Sequence, residues 1–496
     1  MRSNLEHGFN FDLLIFNFNT SRKVLKNETL KNIIQGFINI RGFIMDKKVF
    51  DYKKRWNISE DPKGVEISTD YQDFGTLRVD PERYVSKNFM ESEWEKIWTK
   101  TWLLACPSSD IKDVGDYFNY TIGKESIIVI RSNEDEVSAF YNVCPHRGNR
   151  LFHDDFGFVK DIGCRFHGWK FNLDGTNQFV TDSETFRDEV LCYDIDLSSV
   201  KVEEECGFVW ISMNEDIVPV REYLGEVADH LDLYDVKNMN VIRHAHSEWA
   251  ANWKTGLESF YETYHLSHIH PQTQVMMEDY YVPIDTWDNG MNRMIVPFVE
   301  PSKRQDGSNL LNDGTRIMLA DVGIDPNNFK GSPLEAKKAI QKKKRELSES
   351  FNLGYDRFTD SQLTDSFVYG IFPNVQLGCH PEGVFIHKFM PHPDNPEIFI
   401  YDTLINYRTV DDPNYHVPGW FGLPENSDTS GKIRPEIVRY PLGVKPELGE
   451  VLDQDSELLP YVQDGVRSRG FKGPLWSEQE LRLRHFHYQI DQYLNL

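Results

Sequence analysis

Two short segments of the chain each place a cysteine close to a histidine. Cys144 and His146 are separated by one residue, and after seventeen further residues Cys164 and His167 are separated by two. Two thiolates and two imidazoles are the ligand set of a Rieske [2Fe–2S] centre, in which the cysteines bind one iron and the histidines bind the other. Zinc is the main alternative, but paired zinc ligands usually have the C-x2-C spacing. The spacing therefore favours an iron–sulfur cluster.

Turn residues and aromatic residues surround both ligand pairs. Gly148, Gly163 and Gly168 lack a Cβ, so backbone amides can approach the cluster sulfurs and raise the reduction potential through hydrogen bonds. Phe166 and Trp169 are expected either to shield a cluster from water or to pack as ordinary core aromatics.

A second group of possible metal ligands follows about a hundred residues later. Two histidines and one carboxylate form the facial triad of non-haem Fe(II) oxygenases, which leaves positions open for O2. Helical spacing places Glu262, His265 and His268 on one face, whereas His270 lies five residues from His265 and off that face. Pro271 indicates that the helix ends or is distorted there, so both His268 and His270 stay candidates.

The segments CPHRG and CRFHGWKF resemble the Rieske segment of the Rieske non-haem iron oxygenases. This family contains the large (alpha) subunits of aromatic-ring hydroxylases and related monooxygenases, and the resemblance runs from about Val79 to the C-terminus. It implies a Rieske [2Fe–2S] cluster and one Fe(2+) per subunit. It also implies that His265 and His270 bind the iron, with His268 as a neighbour in the pocket.

The third iron ligand is expected to be a distant carboxylate. The segment Val451–Glu457 resembles the acid-Gln-Asp segment of the family, whose last Asp binds the iron. The resemblance therefore implies Asp455 as the ligand, with Asp453 as the alternative.

Glu262 has a separate implied role, because an acid at this point in the family bridges two subunits. It accepts hydrogen bonds from a cluster histidine of one chain and an iron histidine of the next, which orients both imidazoles. Many ring dioxygenases have Asp here, at a longer spacing, so Glu262 resembles the branch that oxidises quaternary amines and other aliphatic substrates. Asn252 and Trp253 are expected to brace the active-site helix, and Asn252 is counted with Glu262 among the catalytic candidates.

The elements that position these ligands are predicted to form an α+β protein with two domains. Short strands and turns indicate a small antiparallel all-β Rieske domain at 103–214. The resemblance implies a helix-grip (START-like) catalytic domain at 215–496, in which a curved antiparallel sheet surrounds a long helix. Residues 45–102 are expected to be a helical lead-in. Residues 1–44 form an extension of uncertain status, since Met45 could be the natural first residue.

Several elements can be predicted individually. Helices are expected near Ser92–Trp102 and Tyr223–Leu233, and the final helix follows the capping-box sequence that begins at Ser477. The polar stretch Pro301–Phe351 indicates a solvated helix, with a lid over the pocket as the alternative.

Composition restricts the possible partners and surroundings. The 496 residues carry a formal charge of −24, which disfavours nucleic acid as a partner. The four cysteines outside the ligand pairs (Cys106, Cys192, Cys206 and Cys379) do not suggest a disulfide framework, so packed thiols and a cytoplasmic location are expected. No stretch approaches the ~20 apolar residues of a membrane span.

The function implied by this pattern is that of a terminal oxygenase (alpha) subunit. It would use O2 to hydroxylate an aromatic or other hydrophobic organic substrate. The sequence has no Gly-x-Gly-x-x-Gly fingerprint, so a separate NAD(P)H-dependent reductase or ferredoxin is expected to supply electrons. A homotrimer, or an alpha3beta3 assembly with a small beta subunit, is implied by the resemblance. The candidate pocket residues are apolar or aromatic: Phe260, Tyr261, Met276, Phe298 and Phe372.

Two other functions fit the same residues. One is a Rieske monooxygenase or demethylase that acts on a non-aromatic substrate such as a quaternary amine, which Glu262 favours. The other is a Rieske electron carrier without oxygenase activity. Iron content separates them, since a carrier holds two irons per chain and an oxygenase holds three.

Overall fold

The computed structural model describes residues 69–280, 282–305, 311–424 and 427–496. The predicted extension at 1–44 and the start of the lead-in segment lie outside the described residues. Helix α1 spans Lys87–Glu93 and continues as a π-helical turn at Trp94–Trp98.

The predicted helix at Ser92–Trp102 was therefore placed too late in the chain. Ser86 is the residue that begins the helix, because its hydroxyl accepts a hydrogen bond from the Phe89 N–H group. This cap is a sequence signal that lies six residues before the predicted start.

Three antiparallel sheets follow α1 and include the segment with the cysteine–histidine pairs. Their strands, in chain order, are β1 (Leu103–Pro107), β2 (Asp116–Ile122), β3 (Glu125–Asn133), β4 (Glu136–Tyr141), β5 (Phe156–Phe158), β6 (Ile162–Gly163), β7 (Lys170–Phe171), β8 (Asn177–Phe179), β9 (Lys201–Glu205) and β10 (Phe208–Ser212). The first ligand pair follows β4, and the second lies between the paired strands β6 and β7. Ile128, Ile130 and Phe171 pack under the two cysteines in one buried cluster.

The second half of the chain is organised by a single eight-stranded sheet. Its strands are β11 (Met239–Trp249), β12 (Ile284–Thr286), β13 (Asn292–Val296), β14 (Ser366–Ile371), β15 (Val375–Cys379), β16 (Gly383–Pro391), β17 (Phe399–Arg408) and β18 (Val438–Tyr440). The spatial order is β12-β13-β14-β15-β16-β17-β11-β18, and every pair is antiparallel except β11 with β18. Together with the helices, these antiparallel sheets confirm the predicted α+β class.

Nine further α-helices accompany this sheet within the described residues. They are α2 (Val220–Leu224), α3 (Glu226–Asp232), α4 (Trp253–Phe260), α5 (Leu266–Ile269), α6 (Asp313–Asp321), α7 (Pro333–Phe351), α8 (Asp360–Thr364), α9 (Glu450–Val466) and α10 (Leu481–Leu494). The single helix predicted at Tyr223–Leu233 is wrong, because Gly225 has φ of 58° and separates α2 from α3.

Helix α4 lies against the sheet at a glycine. A Cβ on Gly256 would lie 2.4 Å from the Phe399 ring of β17, so the helix can approach the sheet this closely only without a side chain at that position. Asn252 caps the start of α4 by accepting a hydrogen bond from the Lys254 N–H group at 3.0 Å.

The polar stretch does contain a long helix, α7, but only one of its faces is exposed. Lys337 and Lys344 are buried and pair with Asp365 at 2.7 Å and Glu382 at 2.5 Å, respectively. The prediction of a solvated helix is therefore wrong for this face, because buried carboxylates compensate the lysine charges.

The chain ends as predicted, with a capping box formed by Ser477 and Glu480 before α10. Phe486 and Ile490 bury the apolar face of that helix. Of the cysteines outside the ligand pairs, Cys106 and Cys379 are buried, whereas Cys192 is exposed, contrary to the expectation of packing. None of the described helices combines the length and apolar character needed to cross a membrane.

Candidate metal centres and cavity

The two cysteine–histidine loops adopt the same backbone turn. The Gly148 N–H group donates to the Cys144 carbonyl at 3.0 Å, and the Gly168 N–H group donates to the Cys164 carbonyl at 2.9 Å. Both glycines have positive φ, 72° and 75°, which a side chain would strain. The sequence therefore builds two equivalent loops that present their side chains to one place.

The imidazoles of the two loops face each other. The ring centroids of His146 and His167 lie 4.5 Å apart, and both Nδ1 atoms are buried without a hydrogen-bond partner among the described groups. Trp169 is buried and stacks on His146 at 4.8 Å, whereas Phe166 is 53% exposed. Two orphaned Nδ1 atoms beside two thiols fit a cluster iron, since unpartnered buried nitrogen is costly. Of the two aromatics, Trp169 shields the site and Phe166 leaves its edge open.

The thiols of the two loops need a positive partner in order to ionise together. Burial raises the pKa of Cys144 to about 11. Burial opposes ionisation of Cys164 as well, but the N–H groups of Phe166 and His167 outweigh it and lower the pKa of that thiol. The Asn149 amide lies 3.7 Å from the Cys164 sulfur. Bound iron would supply the missing charge, so the donor set fits a [2Fe–2S] cluster.

The iron segment does not form one continuous helix. Helix α4 ends at Phe260, the residues up to His265 are irregular, and α5 covers Leu266–Ile269. His270 follows α5 directly, and its ring centroid lies 5.1 Å from that of His265. His268 is exposed and hydrogen-bonds Ser267, so the expectation that it lines the pocket is wrong. The break between α4 and α5 explains why helical spacing favoured His268, although His270 is the histidine that the structure brings beside His265 and Asp455.

Asp455 of α9 completes the group. Its Oδ1 atom lies 3.1 Å from Nε2 of His270 and 4.0 Å from Nε2 of His265. One ligand atom from each of the three residues falls within 4.8 Å of the others. The alternative, Asp453, instead accepts a hydrogen bond from the Leu448 N–H group at 2.8 Å. Two imidazoles and one carboxylate that share a site are the donors that non-haem Fe(II) prefers, so these residues fit the iron.

The other ring nitrogen of each histidine is held by a different kind of acceptor. Nδ1 of His265 lies 2.5 Å from Oε1 of Glu262, a carboxylate. Nδ1 of His270 lies 2.6 Å from Oε1 of Gln454, an amide that also accepts a hydrogen bond from Gln272 at 2.9 Å. Both imidazoles consequently keep the proton on Nδ1 and present Nε2 to the metal position.

Glu262 also changes the electrostatics of its histidine. Burial alone would lower the pKa of His265, but the hydrogen bond and charge of Glu262, with Asp455 nearby, raise it above its usual value. Sequence reasoning missed the role of Gln454 and Gln272. Gln454 was detectable as the middle residue of the acid-Gln-Asp segment, whereas nothing in the sequence marked Gln272.

Asn252 is buried at the start of α4 and is not among the residues that line the cavity. Its backbone N–H group donates to the Gln463 side chain of α9 at 2.9 Å, and its amide donates to the Pro396 carbonyl at 2.6 Å. The prediction that Asn252 is catalytic is therefore corrected to a positioning role, in which it joins the start of α4 to α9. The buried pair of Lys254 and Glu93, 2.7 Å apart, fixes the same end of α4.

A cavity of about 480 Å³ opens over the three metal-binding candidates. Its wall is mostly apolar and includes Phe260, Met276, Met277, Leu266, Met294, Val296, Phe298, Val368, Phe385 and Trp420. Of the five predicted pocket residues, Tyr261 and Phe372 do not line it. The Tyr261 hydroxyl donates to the Val375 carbonyl at 3.2 Å, and Phe372 stacks on Tyr493.

Two buried histidines belong to the cavity wall and were not singled out from the sequence. Nδ1 of His387 lies 2.6 Å from the Tyr401 hydroxyl and 3.2 Å from the Thr403 hydroxyl, while Nε2 of His380 lies 3.1 Å from the Ser366 hydroxyl. Burial lowers the pKa of both histidines to about 3, with the charge of Lys344 contributing at His380. Both imidazoles are accordingly neutral near pH 7.

The paired loops and the two-histidine, one-carboxylate group define an iron–sulfur protein with a second, mononuclear iron centre. Two protein-family descriptions match the chain: "Ring hydroxylating alpha subunit (catalytic domain)" over residues 236–496 and "Rieske [2Fe-2S] domain" over residues 101–188. The chain therefore belongs to the ring-hydroxylating alpha-subunit family of Rieske non-haem iron oxygenases. A Rieske cluster and Fe(2+) are the cofactors that these two domains hold.

Individual relatives match a smaller part of the chain. The carnitine monooxygenase oxygenase subunit of Acinetobacter pittii is 34% identical over 193 residues, which are 38% of this chain and 51% of the relative. The glycine betaine monooxygenase oxygenase subunit of Pseudomonas aeruginosa is 31% identical over 189 residues, 38% of this chain and 44% of the relative. The chain thus spans about half the length of the curated relatives it matches.

The fold is shared over a longer stretch than the sequence. A solved quaternary ammonium Rieske monooxygenase superposes with a TM-score of 0.60 and 18% identity, over 85% of this chain and 96% of that one. At this identity the likeness concerns the fold.

Proposed function

We propose that the chain is the terminal oxygenase component of a multicomponent Rieske oxygenase. The observation that carries the proposal is the convergence of His265, His270 and Asp455 at a cavity large enough for a small organic substrate. An electron carrier would need neither the third metal position nor the cavity.

Different residues orient the iron ligands and hold the substrate. When bound, the cluster supplies single electrons and the mononuclear iron supplies the site at which O2 reacts beside the substrate. Glu262 and Gln454 hold the two iron histidines in the tautomer that leaves Nε2 free. The apolar wall excludes water and holds the substrate over the metal position.

Electrons are proposed to come from a separate reductase or ferredoxin, because the sequence carries no dinucleotide fingerprint. We also propose a head-to-tail assembly, trimeric or with a small beta subunit, in which Glu262 lies between the cluster of one chain and the iron of the next. The exposed Phe166 beside the cluster and the exposed Tyr264 beside Glu262 support contact surfaces at both places.

The substrate is proposed to be a quaternary or related amine rather than an aromatic hydrocarbon. Both curated relatives described above are named for quaternary amines, and Glu262 resembles the acid of the quaternary-amine branch of the family. This reverses the order of the two functions that the sequence alone suggested.

Metal content tests the proposal. Anaerobically purified protein should contain three irons and two acid-labile sulfides per chain, with a Rieske EPR signal after dithionite reduction. Two irons that do not rise to three after Fe(II) is added would contradict the oxygenase and favour the carrier. O2 uptake in the presence of a reductase should then be greater with an aliphatic quaternary amine than with an aromatic hydrocarbon.

A further inference from the structure

None of the described residues that line the cavity over the metal-binding candidates has a cationic side chain. Among the described lining residues there is no lysine or arginine, and the carboxylates present are Glu262, Glu450 and Asp455. A carboxylate of a ligand in this cavity would therefore find no side chain of opposite charge, and the charge of the Fe(2+) that the site would hold is already partly offset by Asp455.

A lysine that lies against the cavity wall is already neutralised. Lys344 lies 5.5 Å from the Trp420 ring centroid, but it is buried and pairs with Glu382 at 2.5 Å. A ligand carboxylate could recruit this charge only by breaking a buried ion pair and leaving Glu382 unpaired, which is costly.

The two wall histidines cannot supply the missing charge either. His380 and His387 are both buried, and each already uses one ring nitrogen in a hydrogen bond to a neighbouring hydroxyl group. As neutral imidazoles they can exchange a hydrogen bond with a substrate oxygen, but they do not offset a negative charge.

The same wall is suited to a substituted ammonium group. Four aromatic residues, Phe260, Phe298, Phe385 and Trp420, line the cavity, and aromatic rings attract cations through their electron-rich faces. Gln376 is buried on β15, and its Oε1 atom has no hydrogen-bond partner among the described groups, so a partial negative charge lies in the wall.

We propose that this site takes an organic ammonium substrate that carries no carboxylate or other anionic group. The inference rests on the proposed function and narrows it. Carnitine and glycine betaine both carry a carboxylate, so the chain is expected to differ in substrate from the relatives named for those compounds.

A matched set of ligands tests the inference. Choline and glycine betaine share a trimethylammonium group, but choline has a hydroxymethyl group where glycine betaine has a carboxylate. The uncharged counterpart of choline is 3,3-dimethylbutan-1-ol. Binding is measured as the change in the EPR signal of the nitrosyl complex of the mononuclear iron in the 496-residue protein. Choline should bind at least tenfold more tightly than glycine betaine and more tightly than the neutral alcohol.

Three results would overturn the inference: a choline preference over glycine betaine below tenfold, tighter binding of the neutral alcohol, or no binding of choline. Iron and sulfide content is determined on the same sample. A chain without the third iron would refute the proposed function, whereas a chain with three irons and the wrong ligand order would refute only the substrate inference.

A variant that adds a charge gives an independent test. Gln376→Lys should improve glycine betaine binding at least tenfold relative to choline, because it provides a partner for the carboxylate. Gln376→Met, of similar size and uncharged, should keep the choline preference. An unchanged ratio in folded Gln376→Lys protein, judged by its cluster EPR signal and melting temperature, would contradict the inference.

Discussion

The two metal centres of this chain are built from different lengths of sequence. The candidate cluster ligands come from two loops between Cys144 and His167, whereas His270 and Asp455 lie 185 positions apart in the chain. The cluster loops obtain their shape from local turns at Gly148 and Gly168. The iron group depends on the packing of α9 against a broken helix. One centre is thus a local structure, and the other is a product of the tertiary fold.

This difference implies that the centres can be lost separately. The cluster loops have their own buried core, which includes Ile128 and Phe171, and a change in the iron cavity does not touch it. The iron group shares α9 with the Gln463–Asn252 hydrogen bond, so its geometry responds to the packing of the second half of the chain.

The largest expected effect is the loss of the cluster in Cys144→Ser. Serine is a poor ligand for cluster iron, so the two cluster irons and the Rieske EPR signal should disappear while the mononuclear iron stays bound. Cys192→Ser, at an exposed cysteine, is the matched control and should keep all three irons. Survival of the EPR signal in Cys144→Ser would refute the cluster assignment.

The reciprocal change is Asp455→Asn, which removes the anionic ligand of the iron group. Iron analysis should show one iron fewer per chain, with an unchanged Rieske signal, because the cluster loops are independent of α9. Asp453→Asn is the control, since Asp453 contacts the Leu448 N–H group and not the histidines. Loss of iron in Asp453→Asn alone would transfer the ligand role to Asp453.

A smaller effect is expected when only the orientation of a ligand is disturbed. Gln454→Leu removes the acceptor for Nδ1 of His270 and should weaken Fe(II) or Co(II) binding roughly 10–100-fold. Gln454→Glu retains an acceptor at that place and should bind the metal nearly as well as the natural protein. Equal affinities for all three proteins would show that Gln454 does not position the ligand. Titration with Co(II), followed by its visible absorption, measures these constants without turnover.

The smallest expected effect is a pH dependence of the free energy of unfolding that arises from a buried histidine in the wall of the iron cavity. Burial lowers the pKa of His387 to about 3. Below about pH 6.5 this histidine therefore binds a proton in the unfolded chain but stays neutral in the folded chain. The free energy of unfolding should therefore decrease as pH falls from about 6.5 towards 3, by up to about 1.4 kcal/mol per pH unit for this histidine.

Urea unfolding at pH 7 and pH 5 measures this dependence. His387→Gln should show a smaller loss of stability between the two pH values than the natural protein, and His268→Gln, at an exposed histidine, should behave as the natural protein does. An equal loss in His387→Gln would show that the cavity histidine is not held neutral.

The sequence predicted the cluster loops better than the iron group, for the same reason that one centre is local and the other depends on the tertiary fold. The four candidate cluster ligands could be chosen from the sequence because their spacing reflects the geometry of the two loops. His270 could not be chosen over His268 by helical spacing, because the break between α4 and α5 is set by packing. Resemblance to a family suggested Asp455, but Gln272 and the wall histidines became visible only when distant strands and helices were placed together.

Helix α9 gives the iron site two unequal halves. It carries Asp455, a metal-binding candidate, and Gln454, which holds His270, so these contacts must move together whenever the helix moves. His265 is anchored by Glu262 three residues earlier in its own segment and needs no distant partner. Asp455 and the Gln454 contact to His270 therefore depend on the position of α9, whereas the His265–Glu262 pair does not. A partner that displaces α9 would open the coordination sphere without contacting the metal.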